Sequence, residues 1–236
     1  TEPFDVLLQV QEHDTHIDQL VHRRATLPER AELAEVQRRR AELDARTATV
    51  RAERDGHGSR QQHLEEQIEA AKKRRAELEQ RMYGGQAAAR DLQAMDEEVR
   101  HLARHVAELE DRELEVMELL EPLDGDLQAA DVERDALDTK TADLQARIAT
   151  AEAGIDEEVA KEQALRRPLA EQVPPDLLTR YEGLRRKLGG EGAARLVGNS
   201  CTGCHLTLPA MEVDRIRKAP ADAVITCDNC GRILVR

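Results

Sequence analysis

From Leu92 to Leu169 apolar residues recur at alternating steps of three and four, and few folds tolerate that spacing over such a length. Steps of three and four keep one seam on one face of an α-helix. The positions run Leu92, Met95, Val99, Leu102, Val106, Leu109, Glu113, Val116 and onward to Leu165 and Leu169, with only Glu113, Arg134, Thr141, Glu158 and Glu162 polar. A second seam runs backwards from Met82 through Leu78, Ala71, Ile68, Leu64, Val50, Leu43 and Val36 to Leu33, interrupted chemically by Arg75, Gln61, His57, Arg54, Thr47 and Arg40. Heptads this long predict a coiled coil. Between the seams lies the break Tyr83, Gly84, Gly85, Gln86, Ala87, Ala88, Ala89, Arg90 and Asp91, which reads as the tip of an antiparallel hairpin. The predicted class is mainly α, a long antiparallel coiled-coil hairpin followed by a small zinc ribbon.

Composition agrees with a narrow seam. The chain is 35% charged and 1% aromatic with no Trp, too polar for an ordinary core of its 236 residues, yet enough for two helices that bury one stripe each. Its net charge of -13 is unevenly spread: residues 176–236 carry ten Lys/Arg against seven Asp/Glu, leaving the first 175 residues strongly acidic. Such a surface repels phosphate backbones. No apolar run approaches a membrane span and no basic-then-apolar leader is seen, so the sequence predicts a cytoplasmic protein without a membrane partner.

Taken in order, Pro3 suits a first helical turn and opens a helix to about residue 26, with a seam of Val6, Val10, His13, Ile17, Leu20, Arg24 and Leu27. Pro28 breaks it. A second helix spans about 29–82 and a third about 90–172, and the first two are expected end to end against the third. Placing Met82 level with Met95 puts Gly56 and Gly58 at the height of Pro122 and Gly125, which predicts a hinge there. The hairpin domain is read as 1–173 with its tip near 83–91, and residues 174–236 as a linker helix plus zinc ribbon. Pro174 and Pro175 form the joint, and the linker helix runs from Pro175 to Leu188 with Gly189 and Gly190 as its stop.

Cys201 and Cys204 are separated by Thr202 and Gly203, and Cys227 and Cys230 by Asp228 and Asn229. Two C-x-x-C knuckles supply four thiolates, the donor set of a closed tetrahedral Zn²⁺ site. One structural zinc ion is predicted on Cys201, Cys204, Cys227 and Cys230. With no position left for water, the site is expected to be non-catalytic. His205 is surplus to the four cysteines, residues 209–218 read as a short inserted helix, and 224–226 and 233–235 read as strands of the second knuckle.

With hairpin, Pro-Pro joint and double knuckle in one chain, the sequence resembles a bacterial family of helical-hairpin proteins carrying a C-terminal four-cysteine zinc ribbon. The resemblance rests on Asp91, Leu92, Gln93 and Ala94 with Glu97 or Glu98 after the tip, on Leu178, Tyr181, Leu184 and Arg185, and on the ending Cys227, Cys230, Gly231, Arg232, Ile233 and Leu234. It implies zinc on the four cysteines. Some relatives are linked to flagellar or type III secretion systems and to the enhancer-dependent sigma factor as chaperones or adaptors, with RNA binding also proposed. The tip here is shorter and richer in Ala than the family's usual tip.

Three functions follow as expectations. The first is a non-enzymatic adaptor or chaperone that binds protein partners through the arm and the ribbon, since no phosphate loop, nucleophile elbow or inward carboxylate pair is present in the sequence. The second is nucleic-acid binding by Arg180, Arg185, Arg186, Lys187, Arg195, Arg215, Arg217 and Lys218. The third is recognition at the tip by Tyr83, Gly84, Gly85 and Gln86, of which Gly-Gly-Gln matches the tripeptide that peptide-release factors present to the ribosome. The partner's identity and the oligomeric state are left open by the sequence.

Overall fold

A computed structural model describes residues 3–85 and 88–236. Five helices and three short strands follow in the order α1 (Pro3–Ala25), α2 (Pro28–Tyr83), α3 (Ala89–Ala170), α4 (Pro175–Leu188), β1 (Ala193–Val197), β2 (Ser200–Cys201), α5 (Ala210–Lys218) and β3 (Ile233–Val235). Pro28 stands at the first helical position of α2, where its missing N–H costs nothing. Pro175 does the same for α4, whose end is closed by Gly189 in the left-handed region (φ 79°) with the Gly190 N–H donating to the Arg185 carbonyl at 3.0 Å.

Packing divides the chain into two units, one of Glu32–Asp143 and one combining Thr1–Ala31 with Leu144–Arg236. In the first, α2 and α3 pair antiparallel and bury a single seam: Leu64, Ile68, Ala71 and Leu78 against Leu102, Val106, Leu109, Val116 and Leu120. The polar seam positions of α2 are settled by reaching outward. Arg40 Nε donates to Asp138 at 2.9 Å and Arg54 Nε to Asp124 at 2.9 Å, so the aliphatic stems cover the seam while the charged heads leave it. These pairs lie at the heights expected when Met82 is level with Met95.

The hinge expected at Gly56, Gly58, Pro122 and Gly125 does not break either helix, because α2 and α3 are helical through 54–61 and 118–126. Packing is thin at this level. Between Leu43 and Leu64 no residue of α2 is buried, and between Leu120 and Ala130 none of α3.

The second unit has two small cores. Phe4, Leu7 and Val10 of α1 pack with Val173, Leu177, Tyr181, Ala193, Ile233 and Val235. A seam alone would have buried only Val6 and Val10 near the start of α1, but here α4 and the strands cover further sides of the helix, so its buried face widens. Along the rest of α1 the partner is the last third of α3, antiparallel, through Arg166–Asp14 (2.7 Å), His13–Glu162 (2.6 Å), Arg23–Glu158 (2.9 Å) and Arg24–Asp156 (3.0 Å). Glu162 is held below the usual carboxylate range, chiefly by the His13 hydrogen bond.

Asp14 is the polar centre of this unit. It is 3% exposed and accepts from Arg166 Nε at 2.7 Å, from Arg166 Nη2 at 3.2 Å and from the Tyr181 hydroxyl at 2.9 Å. Burial, followed by the Asp14 charge and hydrogen bond, pushes the Tyr181 phenol far above its ordinary range. Gln11 ties α1 to β1, donating to the Ala193 carbonyl at 2.9 Å and accepting from the Gly192 and Ala193 N–H groups at 3.0 and 2.7 Å. Gly192 itself is required by space, since a Cβ there would sit 2.6 Å from the Tyr181 carbonyl oxygen.

The strands form one sheet in the order β2-β1-β3. β1 and β2 make a tight antiparallel hairpin, Leu196 opposite Cys201, turned at Gly198 with φ 63°. β1 runs parallel to β3, Ala193 opposite Ile233 and Arg195 opposite Val235. Of the two strands expected around the second knuckle, 233–235 is β3, whereas 224–226 adds only the bridge Thr226–Ile233 and the bond from Leu234 N–H to the Ile225 carbonyl at 2.8 Å.

Candidate metal centre

The second small core, Ala194, Cys201, Leu208, Val213, Ile216, Cys227 and Leu234, is the floor on which the four cysteines stand. Each knuckle is built by the same local bonds. His205 N–H donates to the Cys201 carbonyl at 2.8 Å in the first, and Gly231 N–H to the Cys227 carbonyl at 2.8 Å in the second. Both turns need a left-handed residue after the second cysteine, supplied by Gly231 (φ 74°) and, less readily, by His205 (φ 59°). That requirement gives His205 a backbone role; its exposed side chain is outside the cysteine cluster.

The sulfur atoms converge. Cys201 and Cys230 Sγ are 3.9 Å apart, as are Cys204 and Cys227 Sγ, and all four lie within 4.8 Å of one another. Tetrahedral Zn–S bonds of about 2.3 Å would place the sulfurs roughly 3.8 Å apart, close to the two 3.9 Å separations, so the donor set suits zinc. No other cluster of three or more such ligands occurs among the described residues.

Backbone N–H groups of Gly203 and Cys204 face Cys201, and those of Asn229 and Cys230 face Cys227. Burial nevertheless pushes the Cys201 thiol up and that of Cys227 to about 12. Cys230 goes the other way: burial opposes it, but the backbone and side-chain N–H groups of Arg232 and the neighbouring thiols hold it down at about 7. A bound divalent cation supplies the charge that lets all four be thiolates.

Arg232 is a residue whose part the sequence does not announce. Its side chain is only 17% exposed and lies across the first knuckle, so that a Cβ on Gly203 would meet Arg232 Cδ at 2.6 Å and Ala194 Cβ at 3.0 Å. Gly203 is therefore explained by the room Arg232 takes. The adjacency Cys-Gly-Arg is the sole sequence hint.

The eight basic residues weighed as phosphate contacts are not gathered into one free patch. Arg185 donates to Asp18 at 2.6 Å, Arg195 to Asp5 at 2.7 Å and Lys218 to Asp214 at 2.5 Å, and Arg215 lies 3.5 Å from Asp228. Arg217 and Arg186 donate to the carbonyls of Gly198 and Glu182, while Arg180 and Lys187 have no ion-pair partner among the described residues. At the tip, Tyr83 closes α2 and is 86% exposed, and Gly85 takes φ 72°. Gln86 lies outside the described residues, so the Gly-Gly-Gln reading gains no geometry. No helix among the described residues is long and apolar enough to cross a membrane.

Residues 10–189 match the model of the CT398-like coiled coil hairpin domain, and residues 200–234 that of the C4-type zinc ribbon domain. The chain is 31% identical over 230 residues to the Mycobacterium tuberculosis protein Rv2229c, covering 98% of this chain and 94% of that one. Among solved structures, a Mycobacterium smegmatis protein is similar at 27% identity with a TM-score of 0.87, covering 99% of this chain and 97% of the other. CT398 from Chlamydia trachomatis has the same fold at 19% identity and a TM-score of 0.72, over 98% and 96% of the two chains.

Proposed function

Since this chain belongs to the CT398-like coiled-coil hairpin family and ends in a C4-type zinc ribbon, we propose that it is a non-enzymatic adaptor, a scaffold on which protein partners assemble. The observation that carries the reading is the closed donor set: four sulfurs within 4.8 Å of one another fill the positions of a tetrahedral site and leave none for substrate or water. One zinc ion per chain then serves the fold, and free cysteines this close are at home in a reducing, cytoplasmic compartment. The paired helices offer long solvent-facing flanks, the feature by which helical arms bind other proteins. In its finer form the reading is chaperone-like, with partners in a secretion apparatus or a sigma-factor complex as the sequence resemblance implies.

Native mass spectrometry of the purified chain tests the zinc count, with one zinc expected and two overturning it. Affinity capture with the zinc-loaded chain tests the adaptor role. A stoichiometric protein partner is expected, and its absence together with a measurable turnover by the pure protein would overturn the reading. Nucleic-acid binding is tested by polarisation with RNA and DNA at low salt, where the ion pairs that occupy Arg185, Arg195 and Lys218 lead us to expect none.

A further inference from the structure

Two ion pairs, Arg54–Asp124 at 2.9 Å and Lys72–Glu110 at 2.6 Å, bracket a stretch of the hairpin with an unusual surface. A two-stranded coiled coil needs apolar residues at two positions per heptad, and Val116 and Leu120 fill those here, 0% and 6% exposed. Yet α3 adds Leu114 and Met117 outside the seam, 57% and 46% exposed. They are three residues apart and so lie side by side on one flank of the helix. Apolar side chains that widen a seam beyond the two-helix requirement leave a stripe for a further helix to cover.

The charges around that stripe specify what can cover it. Between the bracketing pairs α3 carries Asp111, Glu113, Glu115, Glu118 and Glu121 against a lone Arg112, and none of the five carboxylates has an ion-pair partner among the described residues. Across from them α2 adds Asp55, Glu65, Glu66 and Glu69 against Arg60. A second copy of this chain is a poor fit, because joining two such acidic flanks brings like charges together on molecules of net charge -13.

We propose that the Leu114–Met117 flank of α3 is a docking site for a basic amphipathic helix of a partner protein, with Lys or Arg bordering an apolar stripe. The inference rests on the adaptor reading and locates its contact. Leucines of the incoming helix, spaced by three and four, pack on Leu114 and Met117, and its basic residues meet the unpaired carboxylates.

The test uses a fluorescein-labelled three-heptad peptide with Leu at the two core positions and Lys elsewhere, titrated with the zinc-loaded full chain and followed by polarisation. Binding at low salt that weakens as salt rises is expected. The double variant Leu114→Asp/Met117→Asp should bind at least about tenfold more weakly although it is the more acidic molecule, a direction that nonspecific charge attraction cannot give. Val132→Asp, at a position 68% exposed on the same helix, should bind as the wild type does, and a Glu-for-Lys peptide should not bind. Leu114→Ala/Met117→Ala, which adds no charge, should also weaken binding and guards against misfolding of the double Asp variant, itself checked by helicity and zinc content. Equal or tighter binding by the double Asp variant, or no binding by the wild type, overturns the proposal. So does a wild-type dimer in sedimentation that the same variants dissociate, since a second copy then covers the flank. A captured partner retained equally by the variant would also overturn it while leaving the adaptor reading in place.

Discussion

Replacing Asp14 by Ala is the perturbation whose cost can be worked most directly from the structure. Asp14 is 3% exposed and satisfies three donors, two on Arg166 and the hydroxyl of the fully buried Tyr181. Truncation strands the phenol, at about 1–3 kcal/mol, and removes a charged hydrogen-bonded pair worth about 1.5–3 kcal/mol. Breaking a buried pair by removing one partner costs about 3–5 kcal/mol. Arg166 is 22% exposed and keeps Glu182 at 3.1 Å, so the lower end applies, about 3 kcal/mol. For a chain of this length that lowers Tm by about 6–12 °C. The assay is built into the composition: the chain has no Trp and two Tyr, and Tyr83 is 86% exposed, so near-ultraviolet circular dichroism reports mainly on Tyr181. Asp14→Ala should reduce that band and lower its melting temperature. Asp14→Asn, which keeps an acceptor for the phenol, should cost less, and Asp14→Ala with Arg166→Met should cost less than the two single changes added. A Tm within about 2 °C of wild type, which is roughly 1 kcal/mol or less, with the Tyr181 band intact would refute the reasoning.

Chelation of zinc should unfold residues 193–236 and bleach the Tyr181 band, because Ala193, Ile233 and Val235 pack on that ring, while far-ultraviolet helicity falls only slightly. Gly192→Ala should destabilise by about 2–3 kcal/mol, since its Cβ would meet the Tyr181 carbonyl oxygen at 2.6 Å and backbone cannot step aside. Glu162, depressed by the His13 hydrogen bond, stabilises above its ordinary value of 4.5 and loses that contribution as pH falls through its lower folded value. Melting of wild type and Glu162→Gln from pH 7 to 3 should therefore show the wild-type advantage vanishing below about pH 4.5, with acid loss of zinc common to both.

Much of this was legible in the sequence because a heptad seam is both a pattern and a structure. The ends of α4 were given by Pro175 and Gly189, the hairpin by the two runs around Gly84 and Gly85, and the centre by the spacing of Cys201, Cys204, Cys227 and Cys230. What stayed hidden depends on contacts between residues far apart in the chain. Nothing in the spacing of α1 marks Asp14, which sits beside the seam and acquires its importance only when Arg166 and Tyr181 arrive. The sequence does not mark β1, because its partner in parallel register is β3, with Ala193 opposite Ile233, and a five-residue strand has little periodicity of its own. Arg40 and Arg54 read as flaws in a seam until their carboxylates on α3 are seen.

The pairing of α1 with late elements also sets a timetable for synthesis. Asp14 waits 167 residues for Tyr181, and Asp5 waits 190 for Arg195. At roughly 5–20 residues per second, Phe4, Leu7 and Val10 stand uncovered for on the order of ten to forty seconds after they are made. The α2–α3 hairpin can zip from its tip meanwhile, as its contacts near the tip are close in sequence. This apolar face of α1 is thus buried only after α4 and β3, made long after it, have emerged.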